Sequence, residues 1–477
     1  MMLHLGGRPL GFIALLLFSL LLLSACGPTE RVREPAHGLI LIVLDTVRAD
    51  RLGAYGHSVD TSPELDRLAE EGVLFEHAVS HASWTLPAAI GLFTGHYPSA
   101  RTYRDGRLQV SAVEGLRARG YRTAAFTEGA FFSAHFGFDR GFDLYSEEEG
   151  ATRLLVRKEV REGTAPGEGE GGIERTFAQA SEWLAENGEH PFFLLLHTYE
   201  AHTPYRRRDF ASGSPPGFGE TFEQEDVVRL RGRSLVPDEA GIDYVRALYD
   251  GGIRAADAHV GQLRRRLAEL GLADRTVLAV TADHGEDLGE RQVHALGQHG
   301  HTLHRPLTHI PLIVFDPRQP WTGRKVEAQV RLIDVMPTLL ELAGTEPLEG
   351  TTGRSLVALM ERSERESRLA FGEVSHRETG RNLQSAISDG EYKLIVRPRA
   401  TPARRLGGGP RREMYRISVD PEERNDLSGS DRANLARLAA ELRRHQKAIQ
   451  VEGAVATGGG DMPAELRERL EALGYVE

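Results

Sequence analysis

Residues 39–44 read LILIVL, and Asp45 follows directly. Six consecutive apolar residues, without the alternation of a half-exposed strand, predict a strand buried on both faces. Working outward, comparable runs stand at 122–127 (RTAAFT), 192–196 (FFLLL), 276–281 (TVLAVT) and 310–315 (IPLIVF). Amphipathic stretches separate them, which predicts an α/β chain with a parallel sheet. Residues 62–71 predict a helix with Ser62 as N-cap and Pro63 in its first turn, closed by Gly72. A long helix is expected over 243–270, with Leu248, Ala256, Val260, Leu263 and Leu267 on one face.

Beyond Gly344 the pattern changes. The segment 385–396 (SAISDGEYKLIV) predicts two short strands around a turn at Asp389-Gly390, part of a small antiparallel C-terminal subdomain. Leu466, Leu470 and Leu473 give 461–476 a helical period. Two stretches interrupt the α/β pattern. Residues 147–172 are rich in charge and glycine and predict a surface insertion, whereas 206–234 opens with Arg206-Arg207-Arg208 and predicts a lid or rim. The triple arginine reads as a solvated run.

The chain has 477 residues, 40% hydrophobic and 27% charged, a globular rather than a disordered balance. A net charge of −11 argues against a nucleic-acid partner, which calls for a basic surface. The single cysteine, Cys26, excludes an internal disulfide framework and any Cys-based zinc site. It follows the uncharged apolar run 10–23, which is short for a membrane span and suits a signal-peptide core. Leu23-Ser24-Ala25-Cys26-Gly27 resembles the bacterial lipobox, whose cysteine is acylated and becomes the mature N-terminus. The alternative is a plain secretory signal with Cys26 incidental. The organisation expected is a signal peptide over 1–25, a tether over 26–36, a catalytic domain over 37–345, a subdomain over 346–430 and a helical tail over 431–477. The body would face the cell envelope, on the periplasmic or outer-membrane side, held to the membrane through lipidated Cys26.

Polar residues gather where these strands end. Asp45 follows LILIVL, Glu128 follows RTAAFT, His197 ends FFLLLH, and Asp283-His284 follow TVLAVTA. Ligands of open α/β sheets bind outside the carboxyl ends of the strands. Carboxylates and an imidazole collected there suit a divalent cation, which offsets the cost of burying charge. In 83–95 (SWTLPAAIGLFTG), Pro87 fits the first turn of a helix and puts the Thr85 hydroxyl at its N-terminus, where anions are favoured. A threonine there is ordinarily a cap. Beside Asp45 and Asp283-His284, its hydroxyl becomes a candidate nucleophile. Glu128, His197 and His294 are secondary candidates for lining the pocket.

The chain resembles the sulfatase family of the alkaline phosphatase superfamily. The resemblance rests on motifs in the family's order: LIVLDTVRADRLGAYG (41–56), TLPAAIGLFTGHYP (85–98), FGFDRGFD (136–143), HTYEAHTPY (197–205), YDGGIRAADAHVG (249–261), TADHGEDLGE (281–290), QHGHTL (298–303) and IDVMPTLLELAG (333–344). It implies a three-layer sandwich with a large, mostly parallel central sheet plus the small C-terminal antiparallel subdomain. It implies one divalent ion held by Asp45, Thr85, Asp283 and His284. Carboxylates admit calcium, magnesium or manganese, and His284 admits zinc. Thr85 matches the metal-bound nucleophile. His202 matches a residue contacting the substrate's charged head or leaving group, and His299 assists the same site. Of the clustered His299, His301 and His304, one or two are expected to line it.

This sequence departs from the family pattern in three places. Sulfatases place Cys or Ser at the Thr85 position and convert it to formylglycine, which the sequence here excludes. Ala88 and Ala89 replace polar residues after the motif's proline. Thr46 stands where many sulfatases have a second metal-binding Asp. The resemblance implies a metal-dependent hydrolase of sulfate or phosphate esters, with an anionic ester substrate on a glycan or lipid. The alternatives are a phosphoethanolamine- or phosphoglycerol-type transferase acting on envelope glycans or lipids, and a binding lipoprotein that has lost turnover.

Overall fold

The computed structural model describes residues 34–99, 101–147, 172–375, 382–398 and 411–452, together with 463, 464, 466, 467 and 470. The signal peptide, Cys26, most of the tether, nearly all of the 147–172 insertion and Leu473 lie outside the described residues. Ala36 onward forms one unit.

The LILIVL strand, Gly38–Leu44, lies inside an eight-stranded sheet, fully buried along its length. The strand order is Arg324–Val326, Val73–Phe75, Leu312–Phe315, Thr276–Thr281, Gly38–Leu44, Phe192–Thr198, Arg122–Thr127, Leu144–Glu147. Only Leu312–Phe315 runs against the rest. Helices Pro63–Glu71, Gly172–Asn187 and Glu239–Glu269 pack with one another and onto the sheet, while Thr85–Thr94, Val113–Ala118 and Val335–Leu342 form the second helical layer. This is the α/β sandwich expected.

Three local readings need correction. The run 310–315 is not one strand. Pro311 cannot donate to a ladder, and the chain divides there. His309–Ile310 pairs with Ala78–Val79 in a separate three-stranded sheet, and Leu312–Phe315 enters the large one. Ser62 precedes the helix but its side chain does not cap it; Oγ accepts from the Gly53 amide and donates to Asp66. The long helix starts at Glu239, earlier than its apolar period suggests, because the Asp238 carboxylate accepts from the Gly241 amide as N-cap.

The C-terminal subdomain is a four-stranded antiparallel sheet of Ala370–Ser375, Asn382–Ser388, Lys393–Val396 and Arg412–Tyr415. Asp389 Oδ1 accepts from the Glu391 and Tyr392 amides to build the expected turn. Its two faces follow the period-two alternation. Ile387, Leu394 and Met414 pack on Leu438 and Leu442 of helix Arg432–Glu452, whereas Ala386, Ile395 and Tyr415 pack towards Leu303. Leu466 and Leu470 are buried in the main core. Among the described residues, no helix is long and apolar enough to cross a membrane.

Candidate active site

Three adjacent strands end level with one another. Val43 is opposite both His197 and Thr281, so Asp45, His197 and Asp283-His284 emerge at one edge of the sheet. The Asp45 amide donates to the Thr198 carbonyl at 3.1 Å, continuing the ladder by one residue. The chain then turns at Thr46, whose φ of 60° is a left-handed conformation that β-branched residues rarely adopt. Its side chain donates to the Ala201 carbonyl at 2.9 Å, its carbonyl accepts from Tyr249, and its amide donates to Asp283 Oδ1 at 3.3 Å. Strain held by this many bonds is typical of functional sites. Thr46 thus orients Asp283 through its backbone, where the family's second Asp would offer a carboxylate.

Thr85 is the first residue of helix Thr85–Thr94, entered from an extended Trp84, with Pro87 in the first turn as expected. Thr85 Oγ1 lies 3.3 Å from Asp45 Oδ2 and 3.2 Å from His284 Nε2. Asp45, Asp283 and His284 are fully buried, and one ligand atom of each lies within 4.8 Å of the others. His284 Nδ1 donates to the Gly285 carbonyl at 2.9 Å, which leaves Nε2 as the lone-pair nitrogen facing the cluster. The structure therefore brings together all four residues of the predicted metal set.

The donor set fits a cation. Asp45 Oδ1 and Asp283 Oδ2 are buried without a hydrogen-bond partner. Burial, then repulsion from Asp283 and Glu286, holds the Asp45 carboxyl well above the ordinary carboxylate range. Two hard, unpartnered oxygens beside one imidazole nitrogen are donors suited to a divalent ion.

Two further imidazoles border the cluster. The His202 ring centroid lies 5.0 Å from that of His299, which lies 4.6 Å from that of His284. His202 Nδ1 donates to the Thr203 carbonyl at 2.5 Å, and burial, then the His299 charge, pushes its pKa down to about 3. His299 Nδ1 lies 3.0 Å from Glu286 Oε1, and Tyr205 donates to Glu286 Oε2 at 3.0 Å. Burial raises Glu286 to about 7. Of the other clustered histidines, His301 pairs with Asp287 and His304 with Glu413, so only His299 joins the site.

His197 borders the ligand cluster through Asp45 without joining it. Its Nε2 lies 3.4 Å from Asp45 Oδ2, and its ring stacks on Phe132 at 3.8 Å. Burial, then the neighbouring His202 and His284, holds it well below the ordinary imidazole range. Its place at the end of the FFLLLH run was the available signal. Glu286 and Tyr205 were missed. Glu286 stands two residues after His284, but nothing in its spacing tells a buried bridge from an exposed charge.

Glu128 is buried and accepts from the Tyr199 amide, and His294 serves Gln298 through its carbonyl. The Arg206–Arg208 run is not free in solvent. Arg206 pairs with Glu223, Arg207 bridges Glu174 and Glu200, and Arg208 donates to the Gly213 and Glu220 carbonyls. Tyr205 and Phe222 exchange backbone bonds beside these pairs, closing the segment into a wall.

The family model described as Sulfatase matches residues 38–345, more than half of the chain. A multifunctional alkaline phosphatase superfamily protein, PehA, of Trinickia caryophylli is 27% identical over 491 residues, covering 82% of this chain and 91% of its own. Arylsulfatase A of Homo sapiens is 27% identical over 383 residues, covering 70% of this chain and 68% of its own. Among solved structures, a phosphonate monoester hydrolase of Agrobacterium radiobacter superposes with a TM-score of 0.66 at 22% identity, covering 88% of this chain and 96% of its own. The chain belongs to the sulfatase family of the alkaline phosphatase superfamily and is a hydrolase of sulfuric or phosphoric esters.

Proposed function

We propose that the protein cleaves its ester by covalent catalysis on Thr85, without formylglycine, and that phosphoryl rather than sulfuryl esters are its better substrates. The observation that carries this reading is the Thr85 hydroxyl, held at a helix N-terminus between Asp45 Oδ2 and His284 Nε2.

Asp45, Asp283 and His284, with Thr85, would hold one divalent cation, which supplies positive charge that acidifies the nucleophilic hydroxyl and balances the anionic ester. Thr85 Oγ1 attacks the central phosphorus or sulfur, its proton passing towards the Asp45 carboxylate. The helix N-terminus favours the added negative charge. His202 and His299 stand where the leaving oxygen departs, and one of them protonates it as its bond to the central atom breaks. Water then attacks the Thr85 ester, which releases the acid and restores the hydroxyl.

Formylglycine hydrate releases sulfate by collapsing to an aldehyde. A threonine ester has no such exit and needs a second displacement at the central atom, which phosphorus accepts readily. This favours phosphate. Purified protein tested with an aryl phosphodiester, a phosphomonoester and an aryl sulfate, with and without chelator, should show chelator-sensitive turnover, fastest on a phosphoester. Sulfate as the only substrate would reject the phosphoryl preference. Release of product only when an alcohol acceptor is present would assign a transferase, and metal binding without turnover on any ester would assign a binding protein.

We further propose that the body is lipid-anchored through Cys26 in the cell envelope, on the periplasmic or outer-membrane side. The 10–27 sequence supports it. The mass of the mature N-terminus, and release of a Cys26→Ala variant from the membrane fraction, test it.

A further inference from the structure

Behind the helix that begins with Thr85 lies a cavity of about 390 Å³ that no step above uses. It opens between helix Thr85–Thr94, the subdomain strands Ala370–Ser375 and Asn382–Ser388, and helix Arg432–Glu452. Pro87 and Ile90 border it, and at about 100° per residue they fall on the side of their helix turned away from Thr85. Asp45, Thr85, His202, Asp283, His284 and His299 do not line it. Its lining is therefore distinct from the ligand cluster, and its size suits a small organic molecule.

The wall is aromatic and carries one carboxylate. Phe371 and His445 stack with centroids 3.8 Å apart, Tyr97 meets His445 edge-on at 4.6 Å, and His81 meets Tyr97 edge-on at 5.9 Å. Ile90, Leu442 and Ile449 add aliphatic surface. Among the described residues that line the cavity, Glu373 is the one acid, and none is lysine or arginine. Burial pushes His81 down to about 4, and burial, then the Arg331 charge, does the same for His445, so neither ring opposes a cation near neutral pH. Glu373 Oε1 accepts from the Ser375 hydroxyl at 2.7 Å, and the neutral Asn382 amide lies beside it. No ion pair to this carboxylate forms among the described residues.

We propose that this cavity binds an organic monocation: an ammonium head beside Glu373, on an aromatic or branched aliphatic body held among Tyr97, Phe371 and Ile90. The carboxylate supplies the charge complement, and the rings attract cations while they also take up an apolar body. An anion would meet Glu373 with no opposing charge in the lining, and a neutral apolar molecule would bury that charge without compensation. Burial already raises the Glu373 carboxyl above the ordinary range, a cost that a bound cation offsets. The proposal needs no ester chemistry and is independent of the reaction assigned to Thr85.

Benzyltrimethylammonium, N-benzylacetamide and phenylacetate share one ring and differ in the charge of the head. Calorimetric titration of the purified protein should give one saturable site for benzyltrimethylammonium, about 10-fold or more tighter than for N-benzylacetamide, and none for phenylacetate. Glu373→Gln, a change of charge without a change of shape, should weaken the cation about 10-fold and leave N-benzylacetamide within about 2-fold. A photoreactive benzylammonium, cross-linked and mapped by peptide mass, should label residues 371–375 or 442–449, which locates the site without any variant. Equal affinity for cation and amide, an unchanged cation affinity in Glu373→Gln, preference for phenylacetate, or no binding of the three would each overturn the proposal. So would an affinity lost in Asp283→Asn but kept in Glu373→Gln, which would put the cation in the ligand cluster instead.

Discussion

Thr85 Oγ1 stands 3.2 Å from His284 Nε2, across 199 positions of the chain. The hydroxyl comes from the start of a helix and the imidazole from the end of a strand, so the contact exists only if both elements are correctly docked. Thr85→Ala should lower turnover by about 10⁴-fold or more while metal still binds through Asp45, Asp283 and His284. Thr85→Ser, which keeps the oxygen, should retain a substantial part of it. Steady-state rates beside elemental analysis check both outcomes.

Asp45→Asn should separate metal binding from folding. In metal-free protein the Asp45 carboxylate is buried, repelled by Asp283 and Glu286, and costs stability when ionised. The neutral amide should therefore raise the Tm of chelated protein at pH 7. The same variant should lose the response to added divalent ion. In the wild type that response should reach about 2.7 kcal/mol at 100-fold excess over Kd. Thermal melts with and without the ion read both signs.

Glu128 gives a pH signature outside the ligand cluster. Burial pushes its carboxyl from 4.5 up to about 8. A folded-state pKa above the unfolded one favours folding fully below the unfolded value and loses that contribution as pH rises. The stability lost between about pH 4.5 and pH 8 should be on the order of a few kcal/mol. Glu128→Gln should flatten that part of the profile and stabilise the protein at pH 8, as urea titrations at several pH values would reveal.

Gly91 lies where helix Thr85–Thr94 crosses His81, and a Cβ there would overlap the imidazole. His81 is pinned to the Pro87 carbonyl at 2.8 Å and has little room to yield. Gly91→Ala should cost about 1–3 kcal/mol through overpacking. It should also lower kcat more than a distant substitution of equal stability cost, because the displaced helix carries Thr85. Denaturation and kinetics on the same preparation distinguish the two effects.

In the subdomain, Lys393 Nζ and Glu423 Oε1 form a buried ion pair at 2.7 Å. Glu423→Ala should destabilise by about 3–5 kcal/mol, since it leaves the ammonium buried and unpaired. Lys393→Met combined with Glu423→Gln should cost far less. A double-mutant cycle by chemical denaturation tests this.

What could be read from the chain followed physical periodicity. LILIVL, FFLLL and TVLAVT are each long enough and apolar enough to specify a buried strand, and the residue after such a strand must lie at the sheet edge. That locates Asp45 and Asp283-His284 without a structure. The run 310–315 misled because its apolar pattern outweighed Pro311, which breaks the ladder whatever surrounds it. His197 looked like the end of a strand, and only the register with Val43 reveals that it touches Asp45. Glu286 and the Arg206–Arg208 run misled for one shared reason. A charged residue is usually exposed, and whether a partner waits in the fold depends on residues far away in sequence, such as His299, Tyr205, Glu200 and Glu174.

The level ends of three neighbouring strands have a consequence for how such a protein can diversify. The candidate ion-binding and nucleophilic groups hang from the sheet and from one helix start, whereas the wall between the buried Tyr205 and Phe222 is tied down by arginine ion pairs at Arg206 and Arg207 and by a two-residue bridge at its ends. Exchanging that wall for one of another length should redirect which molecules are admitted and leave the bond-breaking apparatus as it was. A graft of this kind offers a route to new selectivity on an unaltered chassis.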